Sequence, residues 1–201
     1  MDLRRLVKRV VFGLCWLVIS PVLLLTRLER LRGRSESMFL FFSQAFALLP
    51  GLPGVYLRAA YYFSALDACS WENHVGFGSV FSHRGASLGR SASLGFYCVI
   101  GHAEIGDGAM IASRVSIPSG KRQHFDENGG IIATPRFDRV AIGRRCWIGE
   151  GAIVMANLGD GCVVSAGSVV LHQVPSARLV AGNPAQVVRE LPQVVGLPQE
   201  R

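Results

Sequence analysis

The feature that most constrains this chain is a six-residue rhythm, broken in one place, between Leu88 and Val170. It runs Leu88-Gly89, Leu94-Gly95, Ile100-Gly101, Ile105-Gly106, Ile111-Ala112 and Ile117-Pro118. It resumes at Ile142-Gly143, Ile148-Gly149, Val154, Leu158-Gly159, Val164 and Val170. A helix repeats its apolar positions at about 3.6 residues and a half-buried strand at about 2, so a sustained period of six belongs to neither. It is the signature of a parallel β-helix: each unit supplies one short flat strand and a corner, and three units close a triangular coil. The aliphatic residue of each unit points into the prism and stacks on its counterparts above and below. Two steps inside the runs are off register. Ile100 to Ile105 spans five residues, and Val154 to Leu158 spans four.

At 201 residues the chain fits one domain with an appendage. Its 23 glycines suit tight corners, where φ > 0 is often required. The net charge of +7 is unevenly placed: residues 1–34 hold eight basic and two acidic side chains, the remainder thirteen and twelve. The basicity therefore belongs to the N-terminal segment. Anionic phospholipid is its natural partner. Nucleic acid is not expected, because the repeat region has no basic patch with interleaved aromatics. Cys15, Cys69, Cys98, Cys146 and Cys162 are odd in number and form no CxxC pair, which argues against a zinc site or a disulfide framework. Those inside the repeats read as small packing residues in a reducing, cytoplasmic setting.

Val10 to Leu25 is almost wholly apolar, but its 16 residues fall short of the ~20 needed to cross a bilayer. Pro21 would bend a helix there. Arg4, Arg5, Lys8 and Arg9 precede the run, as in a signal peptide, but no A-x-A-like cleavage site follows. A second apolar run, Met38 to Leu49, ends at Pro50-Gly51. The pair reads as helices lying in or dipping into the inner leaflet, or else as helices packed on the prism or on each other. The expected organisation is a hydrophobic helical membrane-associating segment over 1–54, a linker and coil cap over 55–74, the β-helix over 75–190 with a loop over 118–139, and a tail over 191–201. The expected location is the cytoplasmic face of a bacterial inner membrane, peripheral or monotopic.

Between Ile117 and Val140 the rhythm fails. The stretch is too long for a corner, and long ordered loops in compact domains are usually functional. It carries His124, flanked by Lys121, Arg122, Asp126 and Glu127. A group that titrates near neutral pH, held on a loop projecting from a rigid prism, suits proton abstraction from a hydroxyl or an amine. A solvated polar loop is the alternative.

The hexads, the His-bearing loop, the segment Ile142-Gly143-Arg144-Arg145-Cys146-Trp147-Ile148-Gly149, the run Val164-Ser165-Ala166-Gly167-Ser168-Val169-Val170 and the ending Ala181-Gly182-Asn183-Pro184-Ala185 together resemble the hexapeptide-repeat acyltransferases. Within that family the resemblance is to the colanic-acid-type, galactoside and maltose O-acetyltransferases, over roughly 75–190. It implies a left-handed parallel β-helix with an all-β core, a working homotrimer, acetyl-CoA as co-substrate, no metal, and a sugar or glycan acceptor. His124 then corresponds to the base that deprotonates the acceptor hydroxyl, although the loop spacing departs from the family by a residue or two. Trp147 matches a Trp near the acyl end of the site; the same residue would also suit an outer face or a trimer seam. Ala166 matches a small residue against the pantetheine arm, with Ser165 where Gly is commoner. Leu171 and His172 stand where relatives often have Thr and Lys facing the adenine nucleotide. Gln186 replaces a basic residue of one relative type, whereas Arg189 matches one suited to the CoA phosphates. His102, in the five-residue step, and His83 are candidates to bind the acceptor, or are outward residues. Other readings are an amino-sugar, serine or antibiotic acceptor, a zinc lyase on the same prism, and a trimeric membrane scaffold. The zinc lyase would need three converging histidines, and their spacing is missing.

Overall fold

The computed structural model describes residues 3–33, 35–126, 128 and 130–192. Four helices precede a parallel β-helix of about six coils: α1 (Leu3–Val18), α2 (Ser20–Arg32), α3 (Ser37–Ala47) and α4 (Gly51–Ala65). The first sheet stacks β1 (Ala68–Cys69), β4 (Ser87–Leu88), β7 (Ala103–Ile105) and β10 (Val140–Ile142). Single bridges carry it on through Leu158 and Val174. The second stacks β2 (His74–Val75), β5 (Ser93–Leu94), β8 (Met110–Ile111), β11 (Trp147–Ile148), β13 (Val163–Val164) and β15 (Arg178–Gly182). The third stacks β3 (Val80–Phe81), β6 (Val99–Ile100), β9 (Ser116–Ile117), β12 (Ile153–Val154) and β14 (Val169–Val170).

Most strands are two residues long, the first facing out and the second in, as alternation along a strand requires. The inward residues form three ladders, for example Val75, Leu94, Ile111, Ile148, Val164 and Val180, all buried. Burying each such side chain contributes about 1.5–3 kcal/mol. The first coil is built on Cys69, Val75 and Phe81; Cys69 lies inside the stretch expected as linker and cap, and the other two lie at the start of the expected β-helix. Its spacing is again six, but Cys and Phe stand where the later coils have aliphatic residues followed by Gly.

The corners between the first and second sheets are the most regular. After each ladder residue come Gly89-Arg90, Gly106-Asp107, Gly143-Arg144 and Gly159-Asp160. A Cβ on Gly143 would lie 2.4 Å from the Gly159 carbonyl carbon, so only glycine lets the coils stack there. Arg90 pairs with Asp107 (2.8 Å) and Arg144 with Asp160 (2.8 Å), each Asp also accepting the backbone N–H of its Arg. The Arg side chains hold both carboxyls below their ordinary range.

Most strand N–H groups of the second and third sheets donate forward to the next coil: Gly76 to Leu94, Met110 to Cys146, Trp147 to Cys162. The first coil is therefore left with spare carbonyls, and an open sheet edge is a liability. The helices supply the missing donors. Arg58 of α4, fully buried, donates through Nε to the Val75 carbonyl (2.9 Å) and through Nη1 to Phe46 and Leu49 at the end of α3 (3.0 and 2.7 Å). The Ser43 hydroxyl donates to the Phe81 carbonyl (2.9 Å) and lies 2.8 Å from the Tyr62 hydroxyl. Burial pushes the Tyr62 phenol up to about 12. At the far end β16 (Ala185–Glu190) folds back antiparallel along β15.

The apolar run Val10–Leu25 is divided at Ile19, two residues before Pro21, and α1 and α2 meet at 63°. No single helix among the described residues is long and apolar enough to cross a membrane, though the bent pair passes by length and composition. The expected tail lies outside the described residues beyond Pro192.

Candidate functional site

The irregular steps share one edge of the prism, the corner between the third and first sheets. His83 follows β3, His102 follows β6, the loop 118–139 follows β9, and His172 follows β14. Four of the five histidines, His83, His102, His124 and His172, thus line one edge; His74, on β2, is the exception.

The loop is built from its own backbone. Asp126 accepts the N–H groups of Asn128 (2.8 Å) and Gly130 (2.7 Å), closing a turn. Phe125 bridges Ile131, and the Ile132 N–H donates to the His124 carbonyl (2.9 Å). Lys121 ties the loop downward by donating to the Leu171 carbonyl (3.1 Å). His124 is exposed, and among the described residues its ring makes no hydrogen bond. Glu127, expected beside it, lies outside the described residues.

At the loop's exit the chain returns over the upstream histidines. The Phe137 ring lies 4.4 Å from that of His83, and its carbonyl accepts from His102 Nδ1 (3.3 Å). His83 and His102 stand 6.4 Å apart between ring centroids. Arg139 joins the coils: Nε reaches His102 Nε2 (3.4 Å), Nη2 the Gly85 carbonyl (3.1 Å) and Nη1 Glu104 (3.5 Å). Nδ1 thus faces an acceptor and Nε2 faces a donor. A Cβ on Gly85 would meet His102 Nε2 at 3.0 Å, so glycine permits this approach.

The helical cap reaches the same edge. His83 Nδ1 lies 3.1 Å from Glu36, and Arg84 pairs with Glu29 and Glu36 (2.6 and 3.3 Å). Burial alone would raise the Glu36 carboxyl, but the hydrogen bonds from His83 and the Arg84 N–H hold it below its ordinary value. Arg139, Phe137 and Glu36 are absent from the sequence-derived candidates. Arg139 and Phe137 meet the histidines through coil stacking and Glu36 through the packing of the cap, and their local sequence gives no signal of it.

The cofactor candidates occupy two faces. Trp147 is 48% exposed on β11, in line with Met110 and Val163, and Arg189 lies exposed on β16 of the same sheet. Ala166, exposed beside Gly167 (φ +68°), and His172 bracket β14 at opposite ends of the third-sheet face. An indole, a small exposed corner and two exposed basic side chains fit a long ligand with an apolar arm and phosphates. Among the described residues no group of three or more His, Cys, Asp and Glu could hold a metal ion.

The coils and their corner residues define the class: a hexapeptide-repeat β-helix. Comparison with known proteins agrees. Residues 139–172 match the family described as the hexapeptide repeat of succinyl-transferase. A protein of Escherichia coli K12 named for an acetyltransferase role in colanic acid biosynthesis is 33% identical over 93 residues, covering 45% of this chain and 49% of the relative. The galactoside O-acetyltransferase of the same strain is 33% identical over 92 residues, covering 43% of each chain. The match thus spans about half the length of these relatives. Among solved structures, the maltose O-acetyltransferase of Clostridium difficile 630 superposes with a TM-score of 0.63 at 24% identity, covering 76% of this chain and 84% of the other. A galactoside acetyltransferase in complex with coenzyme A gives 0.57 at 22% identity, covering 83% and 82%. The resemblance to the hexapeptide-repeat acyltransferases, and to their sugar O-acetyltransferases in particular, therefore stands.

Proposed function

We propose that this chain is an acetyl-CoA-dependent O-acetyltransferase acting on a sugar hydroxyl in the synthesis of a cell-surface glycan, with the edge between the third and first sheets as its acceptor side. The observation that carries the reading is the placing of His83, His102, His124 and His172 on that edge, with the long loop 118–139 among them. The similarity to sugar O-acetyltransferases supports the reaction class. Acetyl-CoA supplies an activated acyl group. His124 takes the proton of the acceptor hydroxyl as its oxygen bonds to the acyl carbon, and returns that proton to the departing thiolate. His102 and His83, fixed by Arg139, Phe137 and Glu36, hold the acceptor. Trp147, Ala166, His172 and Arg189 bind the co-substrate.

These cofactor residues lie on two faces and, among the described residues, the His124 ring makes no hydrogen bond, so the reading includes a homotrimer in which a neighbouring prism completes each site. It also places the protein on the cytoplasmic face of the inner membrane. The support is an aliphatic surface on the helices, where Leu14, Leu17, Leu24, Leu28 and Phe41 are exposed, with basic residues beside it. Acetyl transfer to candidate sugars, measured with wild type and His124→Ala, tests the mechanism. Loss of about 10²–10⁴-fold in kcat with CoA binding retained is expected for a general base. Full activity in the variant refutes that role, and absence of CoA binding by calorimetry refutes the enzyme reading.

A further inference from the structure

Helix α1 packs on the protein through Phe12, Cys15 and Trp16 in its second half, whereas its first two turns direct basic side chains to the inner side. Leu3, Leu6, Val7, Val10, Leu14 and Leu17 face outward and are exposed. Arg5 and Lys8 turn the other way and line a cavity of about 400 Å³ between α1, α4 and the first coil. On its α4 side lie Leu52, Val55 and Tyr56, and the coil contributes Trp71. Phe12 fixes the helix to this wall through Phe63 (5.5 Å) and Trp71 (6.0 Å), and the Arg9 guanidinium sits 5.4 Å over the Trp71 ring.

Two exposed cations at the rim of a cleft leave charge to be matched. Among the described residues neither Arg5 nor Lys8 is in an ion pair, and Glu72 is the one acidic side chain lining the cavity. The rest of the lining is largely apolar or aromatic. Lysine and arginine next to an aliphatic surface favour phosphate groups at a membrane interface, and Tyr and Trp prefer that depth because one end is apolar and the other wet. Leu52 and Leu3, 74% and 71% exposed, lie on the same helices and extend the apolar surface on which acyl chains would continue.

We propose that this cavity binds the phosphate-bearing headgroup of an anionic phospholipid, with Arg5 and Lys8 as its phosphate ligands. The assignment rests on the membrane-surface reading above and adds a defined site and lipid class to it. It gives the N-terminal charge a fixed recognition role in place of diffuse attraction, and makes α1 a helix clasped between acyl chains on one side and a bound headgroup on the other.

Vesicle flotation of the full chain tests it, using neutral phosphatidylcholine and mixed phosphatidylcholine–phosphatidylglycerol vesicles at physiological ionic strength. The wild type is expected to bind both and to prefer the anionic vesicles. Arg5→Gln/Lys8→Gln should lose about tenfold of that preference while keeping its binding to neutral vesicles and its circular dichroism. The charge-matched control Arg27→Gln/Arg32→Gln should lose no more than about threefold. Equal losses in the two double variants refute the cavity as the site. Binding to neutral vesicles without anionic preference refutes the headgroup assignment and leaves the membrane reading standing. Failure to float on either vesicle refutes both. Calorimetry with soluble glycerol 3-phosphate separates the sources of phosphate: binding as tight as to phosphatidylglycerol in micelles overturns the lipid assignment.

Discussion

Arg58 is the side chain whose loss should most weaken the start of the solenoid. It is fully buried and satisfies three carbonyls, those of Val75, Phe46 and Leu49. Arg58→Met keeps much of the volume and removes every donor. The Val75 carbonyl is buried and would be left without a partner, at about 1–3 kcal/mol. The Leu49 carbonyl is part-exposed and the Phe46 carbonyl keeps the Leu49 N–H, so together they add about 1 kcal/mol. Part is offset, because the buried guanidinium carries its own desolvation cost, visible in a proton affinity lowered by burial, and among the described residues its Nη2 has no partner. The net is about 1–2 kcal/mol, or about 5- to 30-fold in a local opening equilibrium. Amide hydrogen exchange reads this directly. The Gly78 N–H donates to Ala47 across the cap, and the Ser82 N–H donates to Ile100 in the first coil. Both should exchange faster by that factor, whereas Ser165 and Gly167, in the coils that follow the loop, should not change. Arg58→Lys, with a single nitrogen centre, should fall between. If Gly78 and Ser82 in Arg58→Met stay within threefold of wild type, the cap does not depend on these donors and the reasoning about spare carbonyls fails.

Two further tests concern the cap and the acceptor edge. Burial raises the Glu29 carboxyl, but the N–H groups of Met38 and Phe39 and the side chains of Arg84 and Ser35 outweigh it, so its folded pKa is lowered from 4.5. A depressed folded pKa gives stability present above the unfolded value and lost as pH falls through the folded one. The protection of the α3 amides, corrected for their intrinsic exchange rates, should therefore fall below about pH 4.5, and Glu29→Gln should flatten that dependence. At the acceptor edge, Gly85→Ala places a methyl 3.0 Å from His102 Nε2. It should raise the acceptor KM about fivefold, near 1 kcal/mol, with kcat and thermal stability little changed; an unaltered KM removes His102 from the acceptor side.

Much of the fold is legible because its core obeys one local rule. From Leu88 to Val170, each aliphatic residue of the rhythm is a buried ladder residue. The off-register steps carried more than they first show. Counted in threes from Leu88, the steps Ile100 to Ile105, Ile117 to Ile142 and Val154 to Leu158 all fall at the same corner, so phase alone assigns the irregularities to one edge. The first coil was harder, since Cys69 and Phe81 replace aliphatics and Gly is missing after them. The role of Arg58 was not legible at all: its partners are backbone carbonyls from two distant segments, and a carbonyl has no sequence signature. The same holds for Arg139, whose contacts with Gly85, His102 and Glu104 arise from stacked coils.

The corner series Arg90, Asp107, Arg144 and Asp160 alternates in sign from coil to coil. Each carboxylate has a cation on one neighbouring coil, and Asp107 also feels Arg144 on its other side. Alternation of this kind has a parity. Removing one coil from the stack, or duplicating one, would set Arg upon Arg or Asp upon Asp, whereas a change of two coils would preserve the pattern. On this edge the solenoid is thus built to change length in pairs of coils, a counting rule that the hydrophobic ladders, whose positions are uncharged in every coil, do not impose.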